Sequence, residues 1–135
     1  MRTPVFTGNW TALVTPFDEN GTINYDAFGK LIDAQIAAGV DAVCVCGTTG
    51  EASALHDKEH REALAWCCEY VNHRVPVVAG TGSNDTAYAI ELTKFAAECG
   101  ADAGLSVTPY YNKPTQRGLL KQYTYIAERV DLPLI

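Results

Sequence analysis

Five largely apolar runs mark out the chain: Trp10–Val14, Ala42–Cys46, Val75–Ala79, Ala103–Val107 and Leu132–Ile135. None alternates with polar residues, as a strand with one wet face would, so each reads as a strand buried on both sides. Between them the period lengthens. Asn24 stands where a helix cap is wanted, Phe28, Leu31, Ile32 and Ile36 recur at helical spacing, and Gly39 ends the run. A second helix is expected from His56 or Asp57, with Glu59 and Glu62 in its early turns and Leu64, Cys67, Cys68 and Val71 as its apolar side. A third begins at Asn84 or Asp85, runs to about Cys99 and stops at Gly100. A fourth follows Thr115 and carries Leu119, Leu120, Tyr123 and Ile126. Asp18-Glu19-Asn20-Gly21 is a turn cluster.

Strand and helix therefore alternate, which predicts an α/β fold with a parallel sheet and helices packed on it. A weak repeat refines this. Gly39-Val40-Asp41-Ala42 returns as Gly100-Ala101-Asp102-Ala103, and Val75-Pro76-Val77 returns as Leu132-Pro133-Leu134, each about 60 residues later. Two strand–helix units per repeat suggest a (β/α)8 TIM barrel represented by its N-terminal half, about four units plus the start of a fifth strand. A small doubly wound sheet is the alternative. The expected inner face carries Val43, Val45, Val77 and Leu105, or their alternates, with no opposite wall. Open sheet edges and that bare face predict self-association.

The 135 residues suffice for one domain, taken as 1–135. A formal charge of −6 argues against a nucleic-acid surface or an anionic membrane. No apolar run approaches the ~18 residues of a membrane span, and the N-terminus lacks the pattern of a secretory leader. Five cysteines, Cys44, Cys46, Cys67, Cys68 and Cys99, lack C-x-x-C spacing and read as reduced, half-buried thiols of a cytoplasmic protein. Cys44 and Cys46 are expected on one face of their strand, beside Gly47, where a reactive thiol is the lesser reading.

Small and polar residues collect after every strand: Thr15, Gly47-Thr48-Thr49-Gly50, Gly80-Thr81-Gly82-Ser83 and Thr108-Pro109-Tyr110-Tyr111-Asn112. In a parallel barrel all four share the carboxyl face, where such folds place their sites. The glycines of the second loop allow close backbone approach to a ligand, and its amides and threonines can converge on a carboxylate. A tight turn without a ligand is the alternative. Threonine is a poor acid or base by itself but can pass a proton to a tyrosine hydroxyl. Thr48 with Tyr110 or Tyr111 is thus a candidate relay, although both tyrosines could serve only to pack their loop. His56-Asp57-Lys58-Glu59-His60 fits a short zinc-protease pattern, but at the start of a helix and without a third ligand it reads as capping and surface histidines.

Gly47-Thr48-Thr49-Gly50-Glu51, Ala79-Gly80-Thr81-Gly82 and Val107-Thr108-Pro109-Tyr110-Tyr111-Asn112, in this order and spacing, resemble the dihydrodipicolinate synthase group of pyruvate-dependent class I aldolases, which also holds N-acetylneuraminate lyase. The resemblance runs from about Phe6 to the last residue. It implies an eight-unit barrel and a homo-oligomeric, cytoplasmic lyase of lysine and diaminopimelate biosynthesis. The reaction it implies joins pyruvate to aspartate semialdehyde through a lysine Schiff base, with no cofactor and no metal. It implies Thr48 and Tyr111 as the proton relay, with Tyr111 crossing a dimer interface, and Thr49 at the pyruvate carboxylate. Ser53, His60, Asn84 and Tyr110 fall at or near a lysine-inhibitor pocket, but Tyr88 stands where lysine-inhibited members have a glutamate, so inhibition by lysine is expected to be weak or absent. The family's Schiff-base lysine and second relay tyrosine fall beyond Ile135. Lys30, Lys58, Lys94 and Lys121 are expected on solvated helix faces, and Lys113 has no apolar strand end to desolvate it, so the isolated chain is expected to be inactive. An N-acetylneuraminate lyase-type aldolase and a non-catalytic, self-associating half-barrel are the alternatives.

Overall fold

The computed structural model describes Pro4 and residues 6–135; Met1–Thr3 and Val5, part of the expected 1–135 unit and of the N-terminal leader question, lie outside the described residues. Four strands, β1 (Trp10–Ala12), β2 (Ala42–Val45), β3 (Val77–Gly80) and β4 (Ala103–Leu105), form one parallel sheet in sequence order. Four α-helices follow them in turn: α1 (Tyr25–Ala37), α2 (Asp57–Val71), α3 (Thr86–Glu98) and α4 (Gln116–Ala127). Leu132–Ile135 lies beside β4 as the expected beginning of a fifth strand, through a parallel bridge of Leu134 to Gly104. Among the described residues no helix is long and apolar enough to cross a membrane.

Helix starts follow the capping residues. Asn24 accepts from the Ala27 amide at 3.0 Å, Asp85 from Ala87 at 2.9 Å, and Thr115 from Gly118 at 3.2 Å, each occupying an amide the helix leaves free. At α2 the contact runs backwards: Glu59 Oε2 accepts from the His56 amide at 3.1 Å. Phe28 and Ile32 of α1 are wholly buried, each contributing about 1.5–3 kcal/mol.

Several strands are shorter than the apolar runs. β1 stops at Ala12 and β4 at Leu105, and Val75-Pro76 precedes β3. Proline offers no N–H to the ladder, and the residues after each strand bend away to build loops. Of the expected inner-face residues Leu105 keeps its place, while Val43, Val45 and Val77 lie on the other face. Val43, Val45 and Val77 pack on the helix side with Phe28, Leu64 and Leu92. The opposite face carries the alternates Cys44, Val78 and Ala103, with Phe6, Trp10 and Leu105 packed against them. Cys44 and Val78 are almost wholly covered, so this face is less bare than the sequence suggests. Its small side chains and the Phe6–Trp10 pair, 6.1 Å between ring centres, account for that.

The sequence repeat has a structural counterpart at the amino ends of the strands. Asp41 accepts from the Asn9 amide at 2.8 Å and returns its own amide to the Asn9 carbonyl at 2.8 Å. Asp102 does the same with Val77, at 2.8 and 2.9 Å. Gly39 and Gly100 each precede their aspartate by two residues at φ of +85° and +87°, a conformation glycine adopts without penalty.

Candidate active site

At the other end of the sheet the four loops converge. The second is the most closely built. Cys46 leaves β2 at φ +53°, which rotates its side chain to the helix side, away from Cys44. The expectation that both thiols share a face fails for this reason. The chain then folds through Gly47–Gly50: the Gly50 amide returns to the Gly47 carbonyl at 3.0 Å, Glu51 to Thr48 at 3.1 Å and Ala52 to Gly47 at 3.3 Å. These bonds leave the amides of Thr48 and Thr49 without a protein acceptor among the described residues, and both residues are exposed. Two adjacent bare donors at a strand end are what an anion cradle requires.

The third loop is pressed against the second. A Cβ on Gly80 would lie 1.8 Å from the Cys46 carbonyl oxygen and 2.8 Å from the Gly47 amide. Behind it, His60 of α2, 4% exposed, places Nε2 2.9 Å from the Gly80 carbonyl oxygen. A carbonyl only accepts, so Nε2 carries the proton and Nδ1 is the free acceptor. Burial lowers the His60 pKa, which outweighs the raising effect of the Gly80 carbonyl. His60 is thus a buried pocket histidine and not the expected surface one. Among the described residues no three His, Cys, Asp or Glu side chains come together as a metal site.

The fourth loop contributes the tyrosines. Tyr111 and Lys113 both take left-handed backbone, at φ +67° and +45°. For a tyrosine this is a genuine outlier, costing about 1–3 kcal/mol. Asn112 between them donates Nδ2 to the Asn84 carbonyl at 3.0 Å, so the fourth loop is tied to the third. Gln122 of α4 adds a bond to the Ser83 carbonyl at 3.2 Å. Neither tie is visible in the sequence, where Asn112 and Gln122 look like ordinary surface amides.

A cavity of about 310 Å³ opens among these loops, lined by Thr48, Ser53, His60, Tyr88 and Tyr110 among others. Thr48, Ser53, His60 and Tyr110 thus share one space. Thr49 and Asn84 do not line it, although the Asn84 carbonyl anchors the neighbouring loop. Tyr111 also lies outside it and is 92% exposed. Tyr88 also lines the cavity; burial and the Asp57 carboxylate beside it push its pKa up to about 12. Burial likewise raises Cys44 to about 11 and Cys46 to about 12, so both stay neutral thiols, unsuited to nucleophilic attack. No lysine lines the cavity, and all five lysines are exposed.

Residues 5–135 match the dihydrodipicolinate synthetase family. The chain belongs to that family. The 4-hydroxy-tetrahydrodipicolinate synthase of Acetivibrio thermocellus is 56% identical over 135 residues, which are 100% of this chain and 46% of that protein. The dihydrodipicolinate synthase structure of Aquifex aeolicus superposes with a TM-score of 0.91 at 46% identity, over 96% of this chain and 44% of its own. That of Acinetobacter baumannii, complexed with pyruvate, does so at 0.91 and 48% identity, over 94% and 44%. The chain therefore spans a little under half the length of these relatives, and its four units are the N-terminal half of the family's TIM barrel.

Proposed function

We propose that this chain is the N-terminal half-barrel, taken as residues 1–135, of a pyruvate-dependent carbon–carbon lyase. The complete enzyme condenses pyruvate with aspartate semialdehyde on the route to lysine and diaminopimelate. The observation that carries the reading is the pair of bare amides at Thr48 and Thr49, presented at a strand end beside a cavity. Pyruvate is a small carboxylate, and the related Acinetobacter enzyme was solved with it bound.

In this reading Thr49 and the loop amides hold the pyruvate carboxylate. A lysine amine attacks the keto carbon, water leaves, and the iminium draws electrons from the neighbouring methyl group. Loss of a methyl proton gives an enamine whose carbon attacks the aldehyde. Thr48 and Tyr111 carry the proton to the new alkoxide. The family resemblance assigns the nucleophilic lysine to a position after a sixth strand, past Ile135. The exposed, strained Tyr111 supports a homo-oligomer in which this side chain enters a second subunit's site. Ser53, His60, Asn84 and Tyr110 surround an effector position whose carboxylate is replaced by Tyr88, so free lysine inhibits weakly or not at all. The enzyme works in the cytoplasm.

Trapping with pyruvate and borohydride, read by mass spectrometry, tests this. A longer natural chain should gain one reduced pyruvate on a lysine outside these residues, and the 135-residue chain should gain none. An adduct on Lys113 would overturn the assignment of the nucleophile, and no adduct on the longer chain would overturn the lyase reading.

A further inference from the structure

Thr15 sits in the first loop after β1 and has no part in the proposed chemistry. It is 4% exposed, and its Oγ1 donates to the Gly50 carbonyl at 2.7 Å, across 35 residues of sequence. Among the described residues this is the only side-chain hydrogen bond made to the Gly47–Gly50 segment. All its other loop bonds join residues 47–52 to one another. Bonds of that kind fix a loop's shape but not its placement over the sheet. The corner is also closely packed: a Cβ on Gly50 would lie 3.1 Å from the Leu13 carbonyl oxygen and 3.2 Å from the Thr15 hydroxyl. The first loop is thus the seat on which the second rests.

We infer that Thr15 is a positioning residue whose hydroxyl sets the placement of the Gly47–Gly50 loop, and with it the aim of the Thr48 and Thr49 amides at a carboxylate. The inference rests on the reading of that loop as the pyruvate cradle. Valine in place of Thr15 keeps the volume and removes the donor. The Gly50 carbonyl, buried at the corner, then lacks a partner, and the loop shifts toward water to find one. A displaced cradle weakens substrate binding and, through Thr48, also slows proton transfer.

The test uses Thr15→Val and Thr15→Ser in the complete protein, with amide hydrogen exchange over residues 46–52 and steady-state kinetics with pyruvate. Thr15→Val should speed exchange in that segment and raise the pyruvate KM, each about tenfold, and lower kcat as well, because Thr48 rides on the same loop. Exchange in β3 should not change, and Thr15→Ser should match the parent in both readouts. Unaltered exchange in Thr15→Val overturns the positioning role, whatever pyruvate does. Faster exchange with an unaltered pyruvate KM overturns the link between this loop and the carboxylate. A parent protein that turns over no pyruvate overturns the lyase reading itself, and the exchange data then still report on the contact. Should Thr15→Val not fold, Thr15→Ala against Thr15→Ser isolates the hydroxyl, and equal KM values for those two overturn the inference.

Discussion

The two ends of the sheet are built on opposite rules. At the amino ends one device is used twice: an aspartate and its own amide clamp the start of the preceding strand, two residues after a left-handed glycine. Each clamp pairs both the carboxylate and the amide of its aspartate. At the carboxyl ends no two loops are alike. Cys46, Tyr111 and Lys113 take left-handed backbone without being glycine, as Asn72 and His73 do at the other end, and the Thr48 and Thr49 amides have no protein acceptor among the described residues. Repetition marks the end that holds the strands in register; bare donors and a cavity mark the other, and left-handed residues occur at both.

The contrast can be broken first at its functional end. In the complete protein Thr48→Val and Tyr111→Phe should each lower turnover by about one to three orders of magnitude, as expected for lost acid–base groups. Their unfolding midpoints should stay close to the parent, since each change removes one hydroxyl and keeps the shape. Parental turnover in both variants would remove the relay.

Glycines separate the ends next. Gly80→Ala drives a methyl into the Cys46 carbonyl, which is backbone and cannot turn aside. A loss of about 3 kcal/mol is expected in denaturant unfolding. Gly39→Ala and Gly100→Ala meet nothing within 4 Å and suffer only from their positive φ, about 1–2 kcal/mol each. Equal losses at all three would show that contact at the carboxyl end matters no more than backbone conformation.

Smaller still is the asymmetry between the paired clamps. Asp102→Ala unpairs a part-buried Val77 amide, whereas Asp41→Ala unpairs an exposed Asn9 amide that water can reach. Losses of about 2 and about 1 kcal/mol follow, with the pyruvate KM of the complete protein unmoved in both. A changed KM would show that the two ends are coupled.

The smallest effect is a slope with pH. Burial holds the His60 pKa below 6.5, so on acidification the unfolded imidazole takes up a proton before the folded one. Its contribution to stability is therefore complete above pH 6.5 and shrinks as pH falls toward the lowered folded value. Urea midpoints compared at pH 7 and pH 5.5 should fall in the parent protein and fall less in His60→Gln, whose amide can still donate to the Gly80 carbonyl from the Nε2 position.

Much of this was legible in the chain itself. Asn24, Asp85 and Thr115 announce helix starts because capping is a contact over two or three residues. The Gly-x-Asp repeat announced a doubled unit, and unbroken apolar runs announced a parallel sheet. Where the structure departs, the cause is seldom local. The left-handed turn at Cys46 is imposed by the loop it enters and not by any preference of cysteine, so the two thiols part company. His60 read as a surface residue because its burial depends on β3 folding against α2. The ties from Thr15 to Gly50 and from Asn112 to Asn84 span 35 and 28 residues, and no periodicity carries such information.

The order of the sheet has one more consequence. Among the described residues each strand pairs with its neighbours in sequence, β1 with β2, β2 with β3 and β3 with β4. Each pairing closes one strand–helix–strand crossover, a cost larger than a hairpin's but similar at every step. As the chain emerges from the ribosome, each new strand meets an edge already in place, and the next helix covers it. The molecule can be laid down like courses of brick, with Leu134 pairing beside β4 as its last described contact of that kind.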